Sequence, residues 1–399
     1  MIGNFDQDSR PRIDWLQLFA VLALIAVGSA FIYSATSSNE LFISRPWYRQ
    51  PGILHMIYGG IGLGASVLIC CFDYRLLSRW AIVAYWGSII LLLAVFVAGK
   101  EVYGARRWVD FGPVQIQPSE FAKIAFIFMM ASYLSRPADE LKQPAVFWRA
   151  IGLMLLPFLL VLKEPDLGSA LLFLPVGFGM LWAAGTPPKW LARLVGVGVM
   201  LIVLLLIDIL FAPPQWQFKL EEYQRRRLLV YFGIDFAANA PATEKARLRR
   251  EQRAHSYNVE QALISVGSGG WFGKGWGQGQ QITLGYLPRA VAHNDFIFSV
   301  IAEEKGFLGS IIVISLYSIV LFTGIRSAAQ ARDRLGRLLA VGVVTLIFSQ
   351  VFINIGMNIR IMPVTGVPLP LLSSGGSSVL CSLIAAGVLQ NIHLYRRTY

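Results

Sequence analysis

The stretch LQLFAVLALIAVGSAFIYSA at residues 16–35 contains no charged side chain. A helix crosses the hydrocarbon core of a bilayer with about 20 consecutive apolar residues, so this stretch predicts a transmembrane helix. The residues ahead of it are rich in charge, and the apolar run is longer than the core of a cleavable signal peptide. We therefore expect the stretch to form the first membrane span.

The same pattern recurs along the whole chain. Hydrophobic residues make up 55% of the 399 residues and charged residues only 15%, against about a quarter charged in a soluble domain. The sequence predicts an all-α, polytopic integral membrane protein with a single transmembrane domain over residues 1–399. The fifth span is short and ends at KEPD, so it could instead be half of a broken pair with the sixth. The ten predicted spans are 15–35, 53–72, 77–98, 118–135, 147–163, 167–184, 190–211, 295–324, 337–357 and 370–394.

The distribution of Lys and Arg predicts the orientation of these spans. An even number of spans places both termini on one side of the membrane. If that side is the cytoplasm, the cytoplasmic segments hold fifteen Lys and Arg residues and the short outer loops hold seven. Cytoplasmic loops carry such an excess of positive charge. We therefore expect both termini in the cytoplasm, and the long loop 212–294, between the seventh and eighth spans, outside it.

That long loop has two distinct parts. Residues 219–254 are rich in Arg, Lys, Glu and Ala. They predict either helices along the outer membrane surface or a plain solvated face. Residues 266–279 read VGSGGWFGKGWGQG and lack the Gly-Lys-Ser/Thr of a phosphate-binding P-loop. The glycines predict irregular backbone with positive φ, and Trp271 and Trp276 suit the membrane interface.

The composition also narrows the class of ligand. The formal net charge is +12, and the chain contains no nucleic-acid-binding motif. In a membrane protein this charge favours anionic lipid head groups and phosphate-bearing lipid substrates. Cys70, Cys71 and Cys381 lie in apolar segments without metal-ligand spacing. Neither a metal centre nor a disulfide framework is predicted from them.

Charged residues at the rim of a membrane are costly and are therefore candidates for function. In GARRWVDFGPVQIQPSEFAK, residues 104–123, Glu120 and Lys123 lie on one face of a predicted helix. They form either a functional pair or one that only neutralises itself for insertion. Arg106 and Arg107 lie just outside this helix. A guanidinium group binds phosphate in a bidentate manner, although a lipid-facing surface role is the alternative.

Two further charged motifs belong to the outer side. KEPDLG at 163–168 contains Asp166 and marks either a tight turn or the wall of a pocket. HNDFIF at 293–298 places Asp295 at the start of a predicted helix, either as its N-cap or as a general base. His293 is either a proton acceptor, an orienting neighbour or an ordinary histidine.

Two more carboxylates follow in the same helix. Glu303 and Glu304 come eight and nine residues after Asp295, which is about 12 Å along a helix axis. That separation is too large for the paired carboxylates of a glycosidase. We interpret both as structural or as directed towards the cytoplasm.

The last apolar region is interrupted by Gly and Pro. Residues 354–378 read NIGMNIRIMPVTGVPLPLLSSGGSS, and a helix is predicted to start near Ser377. Broken backbone at membrane depth is tolerated only where protein buries it or where it lines a cavity. Hydroxyl groups here, including those of Thr365, Ser373 and Ser377, could bind sugar or phosphate oxygens. The alternative is a joint between helices.

These motifs, in this order, resemble the SEDS family (shape, elongation, division and sporulation proteins) over nearly the whole chain. The RodA branch, which acts in elongation, is the most similar. Asn294, Arg360 and Ser374 stand where this family usually has Thr, Gly and Tyr. The motifs that carry the resemblance are RQ at 49–50, GARRW at 104–108, QPSEFAK at 117–123, EPDLG at 164–168, ISVGSGGWFGKGWGQG at 264–279, HNDFIFSVIAEE at 293–304 and PVTGVPLPLLSSGGSS at 363–378.

The resemblance implies an enzyme that polymerises lipid II into the glycan strands of peptidoglycan. It implies a bacterial inner-membrane protein with an extracytoplasmic active site and a class B penicillin-binding transpeptidase as partner, alongside other elongation-complex proteins. Asp295 is then the expected catalytic base. Substrate contacts are expected from Arg49, Arg107, Glu120, Lys123, Asp166, His293, Thr365, Ser373 and Ser377.

The expected reaction is inverting β-1,4 glycosyl transfer, with Arg49, Arg107 and Lys123 serving the pyrophosphate. Lys123, paired with Glu120, is expected to approach Asp295. No cofactor is required by the sequence, although a divalent cation, Mg²⁺ or Mn²⁺, is compatible with the pyrophosphate. Three alternatives stay open: a lipid II flippase, a polymerase of the division type, and a non-catalytic scaffold for the transpeptidase.

Overall fold

The computed structural model describes residues 13–37, 42, 44–102, 105–110, 115–164, 166–211, 229, 231–233, 242–287 and 292–396. Helices dominate these ranges, with two 3-10 turns at Trp47–Arg49 and Glu140–Lys142. In chain order the helices are α1 (Trp15–Ser37), α2 (Pro51–Cys70), α3 (Tyr74–Arg79), α4 (Ala81–Ala98), α5 (Pro118–Leu134), α6 (Pro144–Lys163), α7 (Leu167–Ala183), α8 (Pro188–Phe211), α9 (Ala242–Ser268), α10 (Gln280–Thr283), α11 (Ile297–Gln330), α12 (Arg334–Asn358) and α13 (Gly376–Leu394).

Most of the described helices could cross a membrane. Seven of them, α1, α2, α6, α8, α11, α12 and α13, are long and apolar enough to do so. Helices α4 and α7 are apolar but shorter, and α5 contains Glu120 and Lys123. Together they coincide with the ten predicted spans, which confirms the prediction of an all-α, polytopic membrane protein. Because α6 and α7 are two complete helices, the broken-pair alternative is not supported.

The predicted boundaries are wrong at two spans. The third span, predicted as 77–98, crosses the junction between α3 and α4. The tenth span was predicted from residue 370, but α13 begins at Gly376, which agrees with the helix start predicted near Ser377. Leu369, Leu371 and Leu372 are buried in non-helical backbone, so hydropathy alone extends the span into a segment that is not helical.

Helix α13 forms the middle of the bundle and packs most extensively on α2. Small residues bring these two helices close together. A Cβ atom added to Gly387 would lie 2.9 Å from the Cα of Ser66, and the Ser66 hydroxyl donates to the carbonyl of Leu383 at 2.6 Å. Close backbone approach through small residues is the usual basis of helix association in membranes. Helix α8, in contrast, has only 6% of the residues in its most apolar stretch buried.

A small antiparallel sheet lies where the sequence predicted only a loop. Its strands are β1 (Lys100–Val102), β2 (Ala105–Asp110) and β3 (Gln115–Ile116), in the order β1-β2-β3. Val109 pairs with Ile116, and β3 leads directly into α5, which has Pro118 in its first turn. Arg107 is thereby held on a strand near the start of α5. The side chain of Arg106 lies outside the described part of the structure.

In the part of the long loop 212–294 that the structure describes, the longest element is an extended helix. Helix α9 covers the C-terminal part of the predicted 219–254 region and continues to Ser268, where it packs against α11. Most of residues 219–241 lie outside the described residues, as do residues 1–12. The prediction of positive φ in the glycine stretch is confirmed at Gly270, Gly273, Gly275 and Gly277.

The chain between α12 and α13 is broken backbone within the bundle, as predicted. Its polar groups are taken up by side chains of other helices. The Tyr317 hydroxyl donates to the carbonyl of Pro370. The Nε2 atom of His55 lies 3.0 Å from the carbonyl oxygen of Leu371, a residue with φ of 65°. Protein rather than lipid therefore surrounds the buried part of this segment, between residues 365 and 373, as the absence of water in a bilayer core requires.

Arg360 ends α12 in a left-handed conformation with φ of 59°. The N–H groups of Ile361 and Met362 both donate to the carbonyl of Gly356, at 2.8 and 3.1 Å. Glycine is the usual residue at such a helix end, because a Cβ atom is strained there. The arginine that departs from the family pattern thus occupies a position whose backbone favours glycine.

We predict that Arg360→Gly stabilises the protein by about 1 kcal/mol, because it removes this strain. The measurement is the thermal unfolding midpoint in detergent. Arg337→Gly is the matched control, since it removes the same side chain from an exposed position within α12. In a helix it should destabilise by about 1 kcal/mol. A lower midpoint for both variants would contradict the prediction.

Candidate functional site

Asp295 lies in the turn that precedes α11. The N-cap of α11 is Phe296, which forms no side-chain capping bond, so the interpretation of Asp295 as the N-cap is wrong. The backbone carbonyl of Asp295 accepts hydrogen bonds from the side-chain amides of Asn354 and Asn358, at 3.0 and 3.1 Å. Two amides from the end of α12 therefore fix the position of Asp295.

The residues just before Asp295 are held by the broken segment, the non-helical backbone at residues 359–375 between α12 and α13. The Ser373 hydroxyl donates to the carbonyl of Asn294 at 2.6 Å and accepts from the N–H of Leu369 at 2.8 Å. The N–H of Ser374 donates to the carbonyl of His293 at 3.0 Å. Because the Ser373 hydroxyl has partners on both sides, a positioning role is favoured over the predicted contact with substrate.

The carboxylate of Asp295 faces the residues around Gly366. A Cβ atom at Gly366, which has φ of 73°, would lie 3.8 Å from Oδ2 of Asp295. The carbonyl of Val367 accepts from the same Asn354 amide at 2.8 Å. The buried hydroxyl of Thr365 has no hydrogen-bond partner among the described residues. Thr365 therefore keeps the binding capacity that the sequence predicted for it.

Besides the polar residues around Asp295, a second group of polar residues is centred on Asp166, the N-cap of α7. Its Oδ1 accepts from the N–H of Ser169 at 3.2 Å, and its Oδ2 accepts from the side-chain amide of Gln117 at 3.0 Å. Arg107 is half-buried, and its Nη1 lies 3.9 Å from Oδ1 of Asp166. Asp166 thus caps α7 and also holds an arginine at the N-terminus of this helix.

Ser377 connects this group to the first turn of α13. Its hydroxyl accepts from the N–H of Gln117 at 3.0 Å and lies 3.5 Å from the carbonyl oxygen of Gln115. As with Ser373, these bonds favour a positioning role over the predicted substrate contact. Gln117 bonds to both Ser377 and Asp166, and sequence reasoning missed it because its partners are distant in the chain.

The two groups meet where α7 touches the broken segment. A Cβ atom at Gly168 would lie 2.5 Å from the carbonyl oxygen of Thr365 and 2.7 Å from Cγ2 of Val367. Asp295 borders the same segment at Gly366. The structure therefore brings together four regions that the sequence singled out separately: Arg107 with residues 115–117, and residues 166–168, 293–295 and 365–377.

Four other residues were predicted to belong to the site: Glu120, Lys123, Arg49 and His293. Glu120 and Lys123 form the predicted pair, with Oε1 and Nζ 2.7 Å apart, and both are buried. The approach of Lys123 to Asp295 stays a prediction. Arg49 is exposed in a 3-10 turn beside Tyr48. His293 is buried, with its ring edge-on to Phe42.

Glu164 is a member of this region to which sequence reasoning gave no role. It lies in the turn between α6 and α7, is 1% exposed, and neither carboxyl oxygen has a hydrogen-bond partner in the part of the chain that the structure describes. Burial, and then the negative charge of Asp166, raise the pKa of Glu164 from 4.5 to about 8, while Arg107 acts in the opposite direction. Glu164 is therefore mostly protonated at neutral pH.

The sequence is similar to those of known proteins over nearly its whole length. A family described as cell cycle protein, FtsW/RodA/SpoVE, matches residues 14–398. The chain belongs to this family. It is 34% identical over 392 residues to the peptidoglycan glycosyltransferase MrdB of Escherichia coli K12, covering 97% of this chain and 95% of MrdB. The SEDS family and the class of enzyme, a peptidoglycan glycosyltransferase, are thus confirmed.

Solved structures agree with this assignment. A chain from a study of how a peptidoglycan synthase complex coordinates polymerization and crosslinking has a TM-score of 0.73 and 28% identity, with 96% of this chain and 97% of that chain covered. The rod shape determining protein RodA of Thermus thermophilus has a TM-score of 0.64 and 27% identity, with 97% and 98% covered. The similarity extends over the whole fold.

We predict that Gly168→Ala lowers both stability and glycosyltransferase activity, because its methyl group would displace the Thr365–Val367 segment beside Asp295. Forced overpacking costs about 1–3 kcal/mol. Gly152→Ala in α6 is the control, since a Cβ atom there meets nothing within 4 Å. The control should be neutral or stabilising. Normal activity and an unchanged midpoint for Gly168→Ala would refute the contact.

The raised pKa of Glu164 predicts a pH-dependent stability. The folded state binds this proton more tightly than the unfolded state, so the contribution is complete below pH 4.5 and is lost as the pH rises through about 8. The unfolding midpoint of the wild type should therefore fall between pH 6 and pH 9 by more than that of Glu164→Gln. Parallel pH profiles for the two proteins would show that Glu164 is not buried as a neutral acid.

Proposed function

We propose that this chain polymerises lipid II into the glycan strands of peptidoglycan during cell elongation, with Asp295 as the general base. The observation that carries the proposal is the way Asp295 is held. Its carbonyl is fixed by two amides of α12, and its carboxylate faces the broken segment at Gly366. A base must be pre-positioned in this way to contribute to a transfer reaction.

In the proposed reaction both substrates are anchored in the bilayer by their lipid tails. Asp295 takes the proton from the 4-hydroxyl of the acceptor GlcNAc while that oxygen attacks the anomeric carbon of the donor. The new carbon–oxygen bond forms on the face opposite the bond to the pyrophosphate, which leaves with the bonding electrons. An α-linked donor therefore gives a β-1,4 linkage. Base catalysis supplies about 10²–10⁴-fold, and positioning must supply the rest.

Arg107 is the best supported of the three residues predicted to serve the pyrophosphate. Asp166 holds its guanidinium by charge at 3.9 Å, which is longer than a hydrogen bond. A guanidinium in this position matches the geometry of phosphate oxygens. Lys123 is neutralised by Glu120 at 2.7 Å, and Arg49 is exposed. We assign these two to secondary contacts with the charged head group.

The proposal requires no resident cofactor. Among the residues that the structure describes, no group of three or more His, Cys, Asp or Glu side chains could hold a metal ion. Mg²⁺ is commonly bound by one or two carboxylates together with substrate phosphates. A divalent cation, Mg²⁺ or Mn²⁺, would therefore be held largely by the pyrophosphate itself.

The proposed setting is the inner membrane of a bacterium, with both termini in the cytoplasm and the site on the opposite side. The excess of Lys and Arg in the cytoplasmic segments supports this orientation. The likeness to a chain of a complex that coordinates polymerization with crosslinking supports a class B penicillin-binding transpeptidase as partner. We expect further contacts with membrane lipids and with other proteins of the elongation complex.

We predict that Asp295→Asn lowers polymerisation at least about 100-fold, because the amide cannot accept the proton. Purified full-length protein, supplied with the transpeptidase and labelled lipid II, is assayed for glycan ladders on a gel. Asp139→Asn is the control, because this carboxylate is exposed at the surface.

Three outcomes would change the proposal. Normal ladders from Asp295→Asn would remove Asp295 as the base. If the wild type makes no ladders but moves labelled lipid II across vesicle membranes, the chain is a flippase. If it does neither while stimulating the transpeptidase, it is a scaffold.

A further inference from the structure

Helix α11 is interrupted soon after Asp295. Gly306 has φ of 64° and ψ of −157°, and it divides a short helix at residues 297–305 from the long remainder of α11. The short helix is about 13 Å long at 1.5 Å per residue. Asp295 lies directly before one end of this short helix, so the position of the other end affects the direction in which Asp295 is presented.

The glycine stretch covers that other end. The N–H groups of Lys274 and Gly275 donate to the carbonyls of Glu303 and Glu304, both at 3.0 Å. On the far side of the break, the N–H of Phe307 donates to the carbonyl of Gly270 at 2.8 Å. The unpaired backbone groups that a helix end leaves are therefore satisfied by a loop that lies far away in sequence.

This contact leaves no room for a Cβ atom at Gly273 or at Gly306. A Cβ atom at Gly273, where φ is 79°, would overlap the carbonyl of Glu304. A Cβ atom at Gly306 would overlap the backbone nitrogen of Gly273. These glycines therefore allow two backbones to touch.

Charged side chains fix the same contact. Nζ of Lys274 lies 2.7 Å from Oε1 of Glu303, which is fully buried, and the N–H of Gln281 donates to the same oxygen at 3.1 Å. The Ser34 hydroxyl of α1 donates to Oε1 of Glu304 at 2.5 Å. Of the two alternatives raised by the sequence, the structure thus favours structural roles for Glu303 and Glu304.

Glu303 is fully buried, whereas Lys274 is partly exposed. Removing Lys274 would leave the buried carboxylate without its cation, which is strongly unfavourable. The pair therefore fixes the glycine stretch against the short helix. We infer that Lys274 and Glu303 are positioning residues for the transfer reaction, holding the short helix 297–305 in the orientation that presents Asp295 to the acceptor. This inference rests on the proposed function of Asp295.

The test compares Lys274→Met with Lys305→Met in the full-length protein. Lys305 is exposed on the same short helix, so the control removes an equal charge without breaking the pair with Glu303. Lys274→Met should lower kcat for polymerisation of lipid II by about 10- to 100-fold, leave KM within twofold, and speed amide exchange at residues 292–300. Lys305→Met should change none of these. Lys274→Arg should restore kcat to within about threefold of the wild type.

Equal effects of the two methionine variants would overturn the inference, as would a fall in kcat without faster exchange at 292–300, or faster exchange without a fall in kcat. Where Lys274→Met does not fold, Lys274→Gln gives the same comparison, with the same expected direction. Absence of glycan ladders from the wild type would refute the proposed function instead. In that case the amide exchange still decides whether Lys274 controls the turn that carries Asp295.

Discussion

The side-chain amide of Asn354 donates to two carbonyls, those of Asp295 and Val367. One belongs to the turn before α11 and the other to the broken segment before α13. A bilayer core offers no water to satisfy such groups, so each break in a membrane helix needs an internal partner. Asn354 serves both breaks with one nitrogen. The relative position of the carboxylate and the segment that faces it depends on this interaction.

Charged side chains in the site region also need compensation from within the protein. Glu120 and Lys123 neutralise each other in the bundle, and Asp166 is balanced by Arg107 and by hydrogen bonds at the start of α7. Glu164 is the member left without a hydrogen-bond partner among the described residues. A proton compensates its charge, because burial raises the pKa of Glu164 to about 8. The site region therefore combines fixed ion pairs with one group that can change its charge.

Long apolar runs made the helices predictable, and local motifs identified Asp295, Arg107 and Asp166. The features that the sequence did not predict depend on contacts between residues that are distant in the chain. Gln117 gains its importance from Asp166 and Ser377, and hydropathy carries no information about either bond. Hydropathy placed the start of the tenth span at residue 370, because buried leucines in non-helical backbone have the hydropathy of a span. The Gly- and Ser-rich motif placed a helix start near Ser377, close to the observed start of α13 at Gly376. The N-cap assignment of Asp295 failed because the carboxylate lies one residue ahead of the cap, a difference that only tertiary contacts decide.

The proposed transfer between two lipid-linked saccharides limits what the protein itself can contribute. The substrates carry the reacting groups and are already confined to the membrane, so rate enhancement must come from fixed geometry and from stabilising the departing pyrophosphate. Loops alone position a base poorly. Here the turn of Asp295 is bonded to the end of α12 through Asn358 and to the broken segment through Ser373. The turn that carries Asp295 thus gains the rigidity of the helices around it while remaining outside any of them.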